Sequence, residues 1–442
     1  MKNIIFIVIE CLRPKNLSLF GYEKETDINL KKIAKESILF KQYFSVSNAT
    51  IPSITSIFTG KYPNNIGMVH QIPYTTKEDI EKLRQNKFWM PSYFKEKGYS
   101  TISLDKIGLW MKRGFDDYPQ QKESKIKEFI RKSFIRKILL ALPSWFYSFA
   151  KKFTKLKSSP IFPPAKELVD SAINKIQKSK KPFFLYMRFE DTHFPFLSSI
   201  KTESSGKNEV DKILNKIKTE SQKEYVKKRF SDVGLYSLED IKNKYDSGLI
   251  ETDVQIGRFV EFLKSENLWD NTILIILGDH GENFDEHGIY FSRSGIYDTS
   301  IHTFLMMYLP GLKNKEVESF VQNTDIAPTI LDYLKTKNPN KLNFKFDGKS
   351  LISLIKTNKP IRNKIFAFDC FSDDTECVRT KNRKLIVSKN PICYLCKAQH
   401  HSHFEEYDLK KDSEELNNIY NKDSKLGKFL KLNKLNNLNK NE

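Results

Sequence analysis

Residues 3–9, Asn-Ile-Ile-Phe-Ile-Val-Ile, hold an unbroken apolar run, Ile4 to Ile9, only six residues long. A run that short and that uniformly apolar suits a strand covered on both faces, as in a parallel sheet flanked by helices. Similar runs recur at 100–104, 182–189, 272–277 and 303–309. Helical signals lie between them. Residues 88–97 have Pro91 near their start and Gly98 past their end, and residues 245–264 set Leu249, Val254, Ile256, Phe259, Val260 and Leu263 at helical spacing. Strands alternating with helices predict an α/β fold, a doubly wound α/β/α sandwich.

The alternation fades after Thr329. Residues 1–345 are therefore read as one large α/β domain, 346–420 as a small C-terminal antiparallel subdomain with strands near 364–368 and 384–387, and 421–442 as a polar, basic tail. Residues 201–229, mostly charged, read as a solvated helical excursion or loop. The first apolar run stops at Glu10 with no small-residue cleavage site, which favours a buried strand over a signal peptide. No run reaches the roughly 18 apolar residues of a membrane span. Cys11, Cys370, Cys377, Cys393 and Cys396 are too few for a disulfide framework in 442 residues, so a reducing, cytoplasmic setting is expected.

In an open α/β sheet the chemistry lies beyond the carboxyl ends of the strands. Glu10 follows the first run, and Asp279-His280 follows the run at 272–277. Oxygen and imidazole donors in that mixture suit a divalent ion, Mn or Zn before Ca or Mg. A third element is Thr50-Ile-Pro-Ser-Ile-Thr-Ser-Ile-Phe-Thr-Gly60, where Pro52 marks a first helical turn and Gly60 a stop. Thr50 thus stands at a helix N-terminus, where N–H groups and the helix dipole favour an anion. Taken alone it reads as an N-cap. A metal on its oxygen would activate an otherwise poor nucleophile.

The order of these pieces resembles the sulfatases and their relatives in the alkaline phosphatase superfamily. The resemblance rests on the first strand with its acid, Leu-Arg-Pro at 12–14, Phe-Gly-Tyr at 20–22, and T-I-P-S-I-T-S-I-F-T-G-K-Y-P at 50–63. It continues through FLYMRFEDTHFPF at 184–196, the segment at 270–288, YDTSIHTFLMMYLPG at 297–311, NTDIAPTILDYL at 323–334, and an ending like the family's at 405–420. The resemblance implies an alkaline-phosphatase-like sandwich, with residues 1–345 as the catalytic domain. It also implies a substrate-side role for His193, and motif positions for His287 and His302.

Departures from the family pattern shift the expected reaction. Sulfatases carry Cys or Ser, converted to formylglycine, at the position of Thr50, with Arg at the position of Ile54; threonine cannot form formylglycine. Paired aspartates that hold Ca in sulfatases are replaced here by Glu10-Cys11. The set Glu10, Thr50, Asp279 and His280 is similar instead to the metal cage of lipoteichoic acid synthases and phosphoethanolamine transferases, which work through a phosphothreonine. The expectation is a metal-dependent hydrolase or phosphotransferase of phosphate esters, lipid- or glycan-linked, with Thr50 as nucleophile. His193 and His302 are then catalytic candidates, and His193, His287 and His302 substrate-binding candidates, with Glu282 and Asp285 behind them. Two other readings stay open: sulfuric ester hydrolysis without formylglycine, and a binding protein on a decayed scaffold.

Charge narrows the partners. The chain carries +20, and residues 124–157 alone hold ten basic residues against Glu128. There Ile126, Phe129, Ile130, Phe134, Ile138, Leu139 and Leu142 share a helical face, followed by Pro143 and an aromatic cluster from Trp145 to Phe149. Such a segment reads as a peripheral anchor on an anionic membrane surface, or as an insertion packed on the body. No nucleic-acid module accompanies the charge, so nucleic acid is not expected as a partner. Cys393-x-x-Cys396, with His400, His401 and His403 nearby, has the look of a zinc site, but one C-x-x-C without a clear second pair is weak evidence.

Overall fold

The computed structural model describes residues 1–71, 74–105, 108–119, 163–179, 182–335 and 344–423. The basic segment at 124–157 and most of the tail at 421–442 lie outside the described residues.

The large sheet contains β1 (Asn3–Ile9), β2 (Ile38–Phe44), β3 (Ser100–Ser103), β4 (Phe183–Phe189), β5 (Thr272–Gly278), β6 (His302–Tyr308), β7 (Lys315–Val317) and β8 (Val321–Gln322). Its order is β3-β4-β1-β5-β6-β2-β7, with β8 also paired to β2. β1 runs parallel to β4 and β5. β6 is antiparallel to both β5 and β2, so the sheet is mixed.

β1 shows why its sequence has no polar side. Ile5, Ile7 and Ile9 enter one core with Tyr245, Leu249, Ile256 and Phe259 of the long helix Leu238–Ser265. Ile4, Phe6 and Val8 enter the opposite core with Ile51, Ile54, Ile57 and Phe58 of the helix Thr50–Thr59. Alternate side chains therefore face two helical layers, and each fully buried aliphatic contributes roughly 1.5–3 kcal/mol. Val254 is the exception in the helical pattern, being exposed on the outer side of its helix.

β2 was not evident from the apolar runs, because Lys41 and Gln42 interrupt it where its pairing with β6 shifts register between Phe40 and Tyr43. The charged stretch at 201–229 contains the helix Val210–Leu214 and most of the helix Glu220–Val233, whose Val226 and Phe230 are buried. A separate antiparallel sheet follows, ordered β12-β11-β10-β9, from β9 (Lys364–Asp369), β10 (Asp373–Thr380), β11 (Arg383–Asn390) and β12 (Phe404–Asp408). Among the described residues, no helix is long and apolar enough to cross a membrane.

Candidate active site

Register assembles the site. Ile9 pairs with Phe189 on one side and with Gly278 on the other, so the three central strands end level. The residue after each is an acid: Glu10, Glu190 and Asp279. Gly278 is required here because a Cβ would lie 2.0 Å from Thr303 Oγ1 and 2.9 Å from Leu12 Cβ. Cys11 leaves β1 in the left-handed region, φ 56°, a conformation that costs energy for a residue with a Cβ and recurs at functional sites.

Thr50 is the first residue of its helix, not the cap. Ala49 occupies the cap position, and the helix closes at Gly60, φ 67°, whose N–H donates to Ser56 O at 2.8 Å. The Thr50 hydroxyl instead faces the strand ends, donating to Glu10 Oε1 at 2.9 Å and lying 3.2 Å from His280 Nε2. Pro52 has no N–H and the N–H of Ile51 is taken by Gln71 Oε1 at 2.9 Å. The helix terminus therefore offers an anion fewer donors than its position suggests.

His280 is oriented by its second ring nitrogen. Nδ1 donates to Gly281 O at 2.8 Å, which leaves the Nε2 lone pair turned toward Thr50. Burial, and then Arg293, push its pKa well below the ordinary value, so the ring is neutral. Asp279 Oδ1 accepts from the backbone N–H groups of His280 at 2.9 Å and Cys11 at 3.3 Å. Its Oδ2 is buried without a hydrogen-bond partner. Glu10 Oε1, Asp279 Oδ2, His280 Nε2 and Thr50 Oγ1 are all acceptors or lone-pair donors, a set that fits a divalent cation. The Cys11 thiol sits beside them, within 4.8 Å of donor atoms of Glu10 and His280. Burial and Glu282 keep that thiol protonated.

Two arginines contact these groups. Arg188 in β4 pairs with Glu10 and Glu190, and holds Asp105 through Nε at 2.9 Å and Nη2 at 3.1 Å. Arg293 donates to His193 Nε2 at 2.9 Å, and its Nε is buried without a partner. His193 Nδ1 donates to Phe194 O at 2.7 Å, and its Nε2 lies 3.6 Å from Glu10 Oε1. Burial and the arginines hold His193 neutral. With Nε2 accepting from Arg293, it presents no proton to the site.

The structure thus brings together Glu10, Thr50, His193, Asp279 and His280. It does not bring His302 or His287 to them. His302 stacks on Phe44, ring centroids 4.7 Å apart, with Nε2 3.0 Å from Lys41 O. His287 stacks on Tyr297 at 3.6 Å, near Lys384 and Glu405. Glu282 joins the site's edge through the Cys11 thiol at 3.6 Å, whereas Asp285 pairs with Lys242 at 3.3 Å. Sequence reasoning passed over Arg188, Asp105, Glu190 and Arg293. Arg188 had a signal, a charge inside an otherwise apolar run, and Asp105 and Glu190 each follow a strand.

A family model described as Sulfatase matches residues 2–336. A second, described as N-sulphoglucosamine sulphohydrolase, C-terminal, matches 285–441. An arylsulfatase of Clostridium perfringens is 24% identical over 457 residues, covering 95% of this chain and 90% of its own. The iduronate 2-sulfatase of Mus musculus is 24% identical over 368 residues, covering 70% and 59%. Among solved structures, a phosphonate monoester hydrolase of Agrobacterium radiobacter aligns with a TM-score of 0.65 at 18% identity, over 98% of this chain and 95% of that one. A 2-O GAG sulfatase aligns at 0.67 and 18% identity, over 98% and 90%. These likenesses identify the sandwich as alkaline-phosphatase-like.

Proposed function

Starting from the premise that the chain belongs to the sulfatase family of hydrolases, we propose that it cleaves phosphoric esters with Thr50 as nucleophile. The observation that carries this reading is the Thr50 hydroxyl, buried at a helix start, uncapping, and held 2.9 Å from Glu10 Oε1 and 3.2 Å from His280 Nε2. A divalent ion, Mn or Zn, held by Glu10, Asp279, His280 and Thr50 would lower the hydroxyl pKa and offset charge on the ester oxygens.

The chain's own residues then divide the work. Glu10 Oε1 takes the hydroxyl proton as Thr50 Oγ1 forms its bond to phosphorus and the ester oxygen departs with the bonding pair. His280, fixed by Gly281 O, keeps its lone pair on the nucleophile's side. Arg293, with its unpartnered Nε, faces the anion's free oxygens, and neutral His193 positions that guanidinium. Water, or an acceptor alcohol, then forms its bond to phosphorus and gives up a proton to solvent, while Thr50 Oγ1 leaves with the bonding pair and takes back the proton held by Glu10. His287 and His302, given their partners, take no part in these steps.

Intact-protein mass after exposure to an aryl phosphodiester tests the step: the expected result is one phospho-adduct on Thr50, and an adduct elsewhere rejects the mechanism. A second reading, sulfuric ester cleavage through the same residues, is favoured by the relatives, which are named as sulfatases. Rates on matched aryl phosphodiester, phosphomonoester and sulfate esters in Mn or Zn rank the two, with the phosphodiester expected first. The basic segment at 124–157 is proposed to hold the enzyme on an anionic lipid surface. Flotation with phosphatidylglycerol vesicles should fall as salt rises, and equal flotation with neutral vesicles rejects that role.

A further inference from the structure

The connection from β11 to β12 carries a second group of metal-type donors. Cys393 Sγ, Cys396 Sγ and a ring nitrogen of His400 lie within 4.8 Å of one another. His400 Nε2 is 2.9 Å from Cys396 Sγ. All five cysteines are free, so no disulfide holds this turn.

The backbone is bent into a tight knuckle around the sulfurs. Cys393 N donates to Ala398 O and Lys397 N to Cys393 O, both at 2.9 Å. Lys397 takes a left-handed φ of 58°, and Ile392 bridges Gln399 across the base. The turn aims the Leu395 N–H at Cys393 Sγ, 3.3 Å away, and the Ser294 hydroxyl lies 3.2 Å from the same sulfur. Donors directed at sulfur favour the thiolate, which is the form that ligates metal. Two sulfurs and an imidazole select zinc over manganese, calcium or magnesium.

We propose that Cys393, Cys396 and His400 bind one zinc ion distinct from the ion at Thr50, with a water or other small oxygen donor completing the tetrahedron. Binding releases the two thiol protons to solvent, the sulfurs and the ring nitrogen supply lone pairs, and nothing is oxidised. The ion would brace the wall beside the nucleophile. Cys393 and Cys396 pack in one apolar cluster with Cys370, Phe371 and Ala49, the residue before Thr50. Tyr394, between the two cysteines, lines a cavity of about 240 Å³ together with His70, Asp369 and Glu376.

Cobalt separates this site from the first. The full-length chain is reduced, stripped of metal with a chelator and titrated with Co²⁺, and thiolate-to-cobalt charge-transfer absorption is recorded. The band is expected in the unaltered chain, in Asp279→Asn and in Cys11→Ser, and is expected to disappear in Cys393→Ser and Cys396→Ser. The Cys11 control is needed because that thiol borders the first cage. His400→Asn, at a half-buried position, tests the third ligand without emptying the cluster, and should weaken Co²⁺ retention about tenfold or more. No band in the reduced, unaltered chain overturns the proposal. So does a band lost in Cys11→Ser but kept in Cys393→Ser, retention unchanged by His400→Asn, or a Cys393–Cys396 disulfide in the protein as isolated.

Discussion

Two of the buried charge clusters among the described residues are built on opposite plans. Where the small sheet meets the large one, Lys384 Nζ lies 2.9 Å from Asp298 and 2.6 Å from Glu415, and Arg379 Nε lies 2.9 Å from Asp298. Two cations meet two acids. At the strand ends, by contrast, Arg188 and Arg293 face Glu10, Asp105, Glu190, Asp279 and Glu282. Burial works against the charge of Asp298, yet Lys384 and Arg379 hold its pKa well below the ordinary value. Burial prevails at Asp279, Glu190 and Glu282, and pushes all three up. The first cluster fastens two sheets together, and burial prevails there only at Glu415, raised to about 7 despite Lys384. In the second, three acids stay raised although Arg188, Arg293 and Arg229 act on them, which is the condition that a divalent ion relieves.

The largest expected effect separates chemistry from scaffold. Thr50→Ala removes the nucleophile and should lower kcat by about 10⁴-fold or more, while stability should fall by only about 1–2 kcal/mol for the lost methyl and hydroxyl. Lys384→Met should do the reverse. It leaves Glu415 without its cation and Asp298 with Arg379 alone, and should cost about 3–5 kcal/mol in chemical denaturation, with kcat per folded molecule unchanged. If Lys384→Met instead lost activity at constant stability, the division between the two clusters would collapse.

Much of the scaffold half of this contrast was legible in the chain. The runs of β1, β4 and β5 are largely apolar because both faces are covered, and their ends carry acids because the sheet's carboxyl edge is where polar groups gather. β2 was hidden because Lys41 turns away to Leu19 O at 2.7 Å, breaking the apolar run without breaking the strand. Site residues were legible where position along a strand sets direction, as for Glu10 and Asp279. Motif order failed for His302 because order does not fix which way a side chain points. At the start of β6, Thr303 turns to Leu12 O at 2.8 Å beside Gly278, and its neighbour His302 turns to Phe44.

A smaller effect tests whether the two regions are coupled. His401 is buried between Asp369 at 3.4 Å and Glu405 at 3.6 Å. Burial disfavours its charge, but the two carboxylates raise its pKa to about 9. Asp369 also accepts from Asn48 Nδ2 at 2.7 Å, two residues before Thr50. A raised folded-state value contributes stability that is complete below the unfolded value of about 6.5 and is lost as pH rises through about 9. Denaturation midpoints should therefore fall between about pH 6.5 and 9.5, by on the order of 2–3 kcal/mol in stability. In His401→Gln that slope should vanish, and a slope that persists assigns it to another group.

The smallest effect is the most diagnostic, because its sign depends on the ion. In Asp279→Asn the amide oxygen can keep the N–H groups of His280 and Cys11, while the amide nitrogen replaces the unpartnered Oδ2, which lies 3.6 Å from His280 Nε2. One buried negative charge is removed and no hydrogen bond is lost. In chelator, the variant should be as stable as the unaltered chain or more stable by about 1 kcal/mol. With Mn²⁺ at about 100 times its dissociation constant, the unaltered chain should gain about 2.7 kcal/mol through the cage and the variant much less. The order of the two unfolding midpoints then reverses on adding metal. Equal gains in both chains would show that Asp279 does not hold the ion, and a loss of stability in chelator would show that its charge is balanced after all, as that of Asp298 is.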